Sequence, residues 1–382
     1  MARLIAFPTV SRDSNLGLIE WVRDWLAHQG AACRLTYNAQ GHKANLFATI
    51  GDGPQPGLIL SGHTDVVPID GQDWHSSPFV ATRRDGRIYG RGSADMKGFI
   101  AVALSMVPRM LSRSAAAPFY LALSYDEEVG CLGVRGLIKD LQELGLQPAG
   151  CIVGEPTDMG VVVGHKGGRA YRCCVKGREA HSSLTPFGVN AIEVAAMLIS
   201  HIRQIADELR DSELHHAGFD VPYTTLQSGW IAGGIASNIV PRDCEFRFDI
   251  RHLAGTDPAQ LVERIEVYAR EVLLPRMRET APESAIRIEQ LGEVPPFDRG
   301  SATALVRYVR QCLGEAVGAP ARYVGFGTEA GLFERAGIAS VICGPGAIAQ
   351  AHKPDEFIAL AQLARCENFI EGLMSHPVAS PL

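Results

Sequence analysis

Imidazoles and carboxylates gather at a few points of this chain, most of them just after a short apolar run. His63 and Asp65 stand two apart in Ser61-Gly62-His63-Thr64-Asp65. On an extended backbone such a pair shares a face. A carboxylate there can accept the second ring N–H of a metal-binding imidazole and fix its tautomer. A buried histidine bonded to a turn carboxylate would use the same pattern. Asp95 lies in Gly90-Arg91-Gly92-Ser93-Ala94-Asp95-Met96-Lys97-Gly98, whose glycines let backbone run close to a partner. Its carboxylate can cap the helix that follows or bridge two cations. Asp126-Glu127-Glu128 puts three acids side by side, and in bare protein they raise one another's pKa. Water relieves this at a surface turn, and a bound cation relieves it by countercharge. Glu127 and Glu128 can then divide the work of ligand and proton carrier. Glu155 follows a third apolar run, and His352 follows a fourth and the turn Gly344-Pro345-Gly346.

Singly, each of these residues has a plain structural use. Together, two His, one Asp and two Glu fall at strand ends or helix starts of one expected sheet. His63, Asp95, Glu128, Glu155 and His352 make a mixed nitrogen and oxygen donor set that suits zinc, with cobalt or manganese as alternatives. Five ligands can serve two ions if Asp95 bridges them. Glu127 would then take a proton from water as general base and deliver it to a leaving amine.

The elements that must position these residues are legible from periodicity. Residues 18–29 have helical spacing and are stopped by Gly30. Short apolar runs at 45–50, 57–61, 119–124 and 151–153 read as strands, the last three as buried ones. They alternate with helices at 95–111 and 132–144, an α/β pattern. From about Gly160 the rhythm changes. Strand 168–176, helix 190–210, strands 224–231 and 245–251, helix 258–278 with Asp257 as its cap, and strand 285–290 give the order βαββαβ, a ferredoxin-like arrangement. After Pro295 the α/β rhythm returns, with helix 301–313, strand 321–324, helix 328–336, strand 339–343 and helix 357–374. The expectation is an α/β protein whose discontinuous catalytic domain, 1–163 and 294–382, is interrupted by an inserted domain at 164–293.

Composition narrows the function. Apolar residues make up 46% and charged residues 20%, values that exclude a disordered chain, and the net charge of −6 argues against nucleic acid or an anionic membrane as partner. No apolar run is long enough for a spanning helix, and the N-terminus does not read as a signal peptide. Nine scattered cysteines without a C-x-x-C suit reduced thiols in the cytoplasm. A serine hydrolase is disfavoured because G-x-S-x-G is absent. Gly51-x-Gly53 lacks the rest of a dinucleotide fingerprint, and no H-E-x-x-H occurs. A non-catalytic member of the fold would be expected to lack the base or a ligand, and all are here.

These segments, in this order and over nearly the whole chain, resemble the co-catalytic zinc family of aminoacylases, deacylases and exopeptidases. Phe219-Asp220-Val221-Pro222-Tyr223-Thr224-Thr225-Leu226, Gly233-Gly234-Ile235-Ala236-Ser237-Asn238, Phe248-Asp249-Ile250-Arg251 and Gly327-Thr328-Glu329-Ala330 add to the likeness. The resemblance implies two Zn2+ per subunit, with Co2+ or Mn2+ as alternatives. His63 and Glu155 would hold one ion and Glu128 and His352 the other, with Asp95 between them, Asp65 orienting His63, and Glu127 as base and acid. It implies that the inserted domain is a lid and homodimer interface, and that His181 helps to stabilise the tetrahedral oxyanion, often from the partner subunit. From sequence alone His181 is a loop histidine. Asn238 and Arg251 match positions that bind the substrate carboxylate, although Arg251 could equally make a surface salt bridge. Glu329 could hold a cationic amine of the substrate or cap the helix after it. The expected substrate is a small N-acyl amino acid, N2-acetyl-L-ornithine ahead of N-succinyl-diaminopimelate. The first helix looks shorter than in relatives, the glycines of His165-Lys166-Gly167-Gly168 suit a hinge, and Lys166 is without a role.

Overall fold

Apolar runs too short to make helices become strands buried along their whole length. In the computed structural model, which describes residues 1–382 except 113–116, 301–302, 317–318, 377 and 379–382, a single helical turn at Ala2–Ile5 precedes the first long helix, α1 (Leu16–Gln29). Strands β1 (Ala32–Tyr37), β2 (Ala44–Ile50) and β3 (Leu58–His63) follow. Next come α2 (Lys97–Ser112), β4 (Phe119–Ser124), α3 (Gly133–Glu143), β5 (Gly150–Val153) and β6 (Val162–His165). Every residue of β3, β4 and β5 is buried. α1 buries Leu18, Ile19, Val22 and Leu26, and ends where Gly30 takes a left-handed conformation.

The next stretch is β7 (Gly167–Lys176), α4 (Ala191–Ser212), β8 (Thr225–Gly233), β9 (Asp243–His252), α5 (Pro258–Val267) and β10 (Ala285–Val294). The chain then returns through α6 (Ala304–Leu313), β11 (Ser340–Ile342) and α7 (Leu360–Ser375). The large mixed sheet has the order β1-β2-β4-β3-β5-β11-β6, followed by Phe297–Asp298, with Arg322–Val324 beside β6. β3 lies parallel to β4 and β5, and β11 parallel to β5. The register pairs His63 with Ser124, Ser61 with Val153 and Ile342 with Val153. The carboxyl ends of these four strands therefore form one edge, where an open α/β sheet binds its ligands.

Two compact units result. One comprises Met1–Gly164, Phe297–Tyr323 and Thr328–Leu382; the other comprises His165–Pro296 and Val324–Gly327. The second contains the antiparallel sheet β8-β9-β7-β10. β9 alternates buried and exposed residues, and its inner Phe246, Phe248 and Ile250 pack in one core with Leu198, Ile202 and Ile205 of α4 and Leu261 and Ile265 of α5. Asn190 caps α4 by accepting the N–H of Ile192 and Glu193, and Asp257 caps α5 by accepting that of Ala259 at 2.9 Å. The expected class, a discontinuous α/β sheet domain with a ferredoxin-like βαββαβ insertion, is the one observed.

Four details differ from the sequence reading. Residues 324–327 group with the inserted unit, not with the returning stretch. The helix expected over 258–278 continues past α5 through a π-helical turn at Tyr268–Leu273, just before Pro275, which lacks the N–H for a regular ladder. The last helix starts at Leu360, not 357, because Phe357–Ala359 pairs as a strand with Arg87–Tyr89. Of the helix expected over 301–313, residues 301–302 lie outside the described residues, and Thr303 caps the observed one through its hydroxyl, which accepts from the Val306 N–H at 3.3 Å. All nine cysteines are free thiols, and among the described residues no helix is long and apolar enough to cross a membrane.

Candidate metal centre

The edge formed by β3, β4, β5 and β11 brings the five candidate ligands together. One ligand atom from each of His63, Asp95 and Glu155 lies within 4.8 Å of the others, and the same holds for Asp95, Glu128 and His352. Asp95 belongs to both groups because its two oxygens face opposite ways. Oδ1 is 3.0 Å from His63 Nε2, and Oδ2 is 3.4 Å from His352 Nε2. Glu128 Oε2 is 3.0 Å from the same His352 nitrogen, and Glu155 Oε1 is 3.8 Å from His63 Nε2. Asp95 lies two residues before α2, yet its carboxylate turns to the imidazoles.

The other nitrogen of His63 is held in a way the sequence did not suggest. Nδ1 is 2.9 Å from the backbone carbonyl of Asp65, while the nearest carboxylate oxygen of that residue is 3.6 Å away. The Asp65 carboxylate instead accepts the Ser11 hydroxyl at 2.7 Å and the backbone N–H of Glu127 at 3.1 Å. Asp65 thus ties His63 to the loop that carries Glu127.

The electrostatics of the cluster follow from burial and from the crowding of acids. Burial first, and the neighbouring acids next, push Glu155 and Glu127 well above the usual carboxyl range, and Glu128 is raised for the same reasons. Burial opposes charge on His63, but its contacts with Asp65 and Asp95 outweigh that and hold the ring well above its ordinary value. Asp95 and Glu128 raise His352 to about 10. Burial would raise Asp95 too, but His352 and His63 keep it well below the usual range. The mixed nitrogen and oxygen donor set, with buried acids raised by one another, fits a divalent cation as countercharge.

Backbone close approach sets the loops. A Cβ on Gly344 would lie 2.0 Å from the carbonyl oxygen of Gly154, so only glycine lets the loop leading to His352 pass against the loop carrying Glu155. His352 itself has a left-handed φ of 62°.

One functional residue escaped the sequence reading. Glu356, 1% exposed, accepts the N–H groups of Gly92 at 2.9 Å, Ala94 at 2.8 Å and Asp95 at 3.1 Å, and pairs with Arg91 at 2.9 Å. It therefore seats the loop that presents Asp95. The available signal was Asp85-Gly86, a hairpin turn between Thr82–Arg84 and Arg87–Tyr89. Phe357 pairs with Tyr89 at the end of that hairpin, which brings Glu356 to the glycine loop.

Glu329 does not cap the helix that follows it. It has no exposed surface, and its two oxygens accept the hydroxyls of Ser124 and, at 3.2 Å, Ser61. The helix after it is capped by Thr328, whose hydroxyl accepts the Ala330 N–H at 3.1 Å. Burial raises Glu329 to about 7.

The remaining candidates lie in the inserted unit. His181 is exposed at the start of the short 3-10 turn Ser182–Phe187. Its Nδ1 accepts the Ser183 N–H at 3.2 Å, which puts the proton of the neutral ring on Nε2. The structure sets the His181 backbone beside the 238–239 segment: His181 bridges Ile239, and the Asn238 carbonyl accepts the Ser182 N–H at 3.0 Å. Arg251 is at the other end of β9, opposite Thr225, with Nε 3.4 Å from Asp249. Lys166, buried, donates to the Tyr223 carbonyl and faces the Phe219 ring at 5.8 Å, so it fastens the 219–223 segment.

Comparison with known proteins adds family and relatives. A model described as "Peptidase family M20/M25/M40" matches residues 59–376. The chain is 36% identical over 365 residues to an acetylornithine deacetylase of Pasteurella multocida (strain Pm70), covering 93% of this chain and 91% of that one. It is 33% identical to an acetylornithine deacetylase of Aliivibrio salmonicida (strain LFI1238), covering 95% and 92%. Among solved structures it is similar to an M20 family metallo-carboxypeptidase, Sso-CP2, from Sulfolobus solfataricus, with a TM-score of 0.77, 19% identity and coverage of 98% and 97%.

Proposed function

The chain belongs to peptidase family M20/M25/M40, and from that premise we propose that it is a metal-dependent amide hydrolase that removes acetyl from N2-acetyl-L-ornithine, giving L-ornithine and acetate. The chemistry rests on one observation above the others: a single carboxylate, Asp95, is shared by two groups of imidazole and carboxylate donors. The substrate rests on the names of the two relatives that span more than nine-tenths of the chain. Such a reaction would serve arginine biosynthesis.

In this reading His63 and Glu155 would hold one Zn2+ and Glu128 and His352 the second, with Asp95 available to both. When bound, the metal supplies Lewis acidity toward the amide carbonyl and toward water. Glu127 accepts the proton of the attacking water and later gives it to the departing amine nitrogen. Its raised pKa makes it a stronger base than an ordinary carboxylate and moves it toward the range in which one group can take up and return a proton. His181, with its proton on Nε2, donates to the developing oxyanion. Arg251 and Asn238 bind the α-carboxylate, for which the planar guanidinium is suited. The inserted unit acts as a lid and as the interface of a homodimer.

The test is a hydrolysis assay after metal reconstitution, ranking N2-acetylornithine, N-succinyl-diaminopimelate and a panel of N-acetyl amino acids by kcat/KM. A preference for acetylornithine that chelator abolishes supports the reading. Chelator-sensitive turnover led by another substrate keeps the chemistry and overturns the substrate, because acyl and side-chain pockets differ by few contacts.

A further inference from the structure

One buried lysine closes the acid loop into a circuit of contacts. Lys43, just before β2, is 6% exposed. Its ammonium donates to Asp126 Oδ1 at 2.6 Å and to the carbonyl oxygen of Ser11. Ser11 donates its hydroxyl to Asp65 Oδ2 at 2.7 Å. Asp65 accepts the backbone N–H of Glu127 at 3.1 Å and of Glu128 at 3.3 Å. Asp126 directly precedes Glu127, so the path returns to Lys43 within a few residues. Asp126 also holds a left-handed φ of 56°, a region sparsely populated by residues with a side chain. The circuit grips the loop from both sides: the backbone N–H groups by Asp65, the leading side chain by Lys43.

We propose that Lys43 is a positioning residue, which fixes where Glu127 and Glu128 stand. It touches neither of them and acts through Asp126 and Ser11. An ammonium buried in this way is unfavourable unless paired and hydrogen-bonded, and both partners belong to segments that meet at the acid loop. Its role rests on the reading of Glu127 as base and Glu128 as ligand.

The experiment compares wild type with Lys43→Met, Asp126→Asn and the double variant. Amide hydrogen exchange is measured on the metal-free protein, so that it depends on neither metal nor turnover. The Glu127 and Glu128 amides should lose at least about tenfold protection in Lys43→Met, with α3 unchanged, because opening would be local. In the reconstituted enzyme kcat should fall about 10–100-fold, the usual size for residues that support ligands, with KM within about twofold. The double variant should be no worse than either single one, as expected for one coupled pair. Exchange that rises evenly over the whole unit, an unchanged kcat, or single losses that multiply in the double variant would overturn the proposal and leave an ordinary stabilising ion pair. If Lys43→Met does not fold, exchange in Asp126→Asn decides by the same criteria. Should Glu127→Gln keep wild-type turnover in the same assay, the reading of the base fails, while the exchange result still decides the role of Lys43.

Discussion

Glu356 offers the sharpest link between fold and site. Its two oxygens receive four donors: Arg91 Nη1 and the Gly92 N–H on Oε2, the Ala94 and Asp95 N–H groups on Oε1. Glu356→Gln keeps one acceptor oxygen for one pair and turns an amide NH2 toward the other. Two hydrogen bonds to a charged group are lost, at about 1.5–3 kcal/mol each. The total, about 3–6 kcal/mol, agrees with about 3–5 kcal/mol for removing one partner of a buried ion pair. Both Arg91 and Glu356 are 1% exposed, so solvent screening takes little from this. For a unit of this size the melting temperature should drop on the order of 10 °C. The loop bearing Asp95 loses its seat, so metal affinity should fall about 10–100-fold. Scanning calorimetry of the metal-free protein and a chelator-competition titration measure the two effects. A surface control, Glu143→Gln, removes an exposed pair 3.7 Å from Lys139 and should change stability by less than about 0.5 kcal/mol. A shift for Glu356→Gln no larger than that control, with metal affinity intact, would refute the reasoning.

Other perturbations probe separate parts of the site. Glu127→Gln should bind metal as wild type does and lower kcat at least about 100-fold; near-normal turnover would remove Glu127 as base. His181→Ala should reduce kcat more than it raises KM, as a transition-state contact does, and an unchanged kcat would return His181 to an ordinary loop residue. Stability should also depend on pH in a definite direction. Glu127 and Glu155 sit above the ordinary 4.5, and His63 and His352 above 6.5, His352 at about 10. Each binds its proton more tightly in the folded chain, so this contribution is fully present at low pH and is lost as pH rises through the folded values. Metal requires the same groups deprotonated. The gain in melting temperature on adding Zn2+ should therefore be larger at pH 8 than at pH 5.5, and a gain that shrinks over that interval would contradict the electrostatic account.

The legible parts of this molecule are those in which local pattern and tertiary demand agree. Buried runs such as Leu58–Leu60 and Leu121–Leu123 can only be inner strands, and the acids at their ends follow from parallel pairing. The insertion was legible because its alternation, as in β9, and its caps, Asn190 and Asp257, are local signals. What escaped depends on distant contacts. The hairpin ending at Tyr89 is polar and short, and gains its meaning only from Phe357–Ala359, far along the chain. Glu356 and Lys43 are single charged residues whose partners lie 264 and 83 positions away, so no spacing rule exposes them. Glu329 looked like a cap because it precedes a helix, but the Thr328 hydroxyl takes that role and frees the carboxylate to bind two strand-end serines. Asp65 was placed beside His63 for the right reason, the i, i+2 geometry, but the carbonyl rather than the carboxylate is what that geometry brings closest.

The central claim is that Asp95 is shared by two ions in a hydrolytic centre. Metal content after reconstitution and dialysis, measured by mass spectrometry on wild type and Asp95→Ala with acetate release followed in the same samples, tests it most directly. The account predicts two Zn2+ per chain in wild type, and loss at both sites together with turnover in the variant. A single ion in active wild type, or a variant that loses one ion and keeps the other at full affinity, would contradict it.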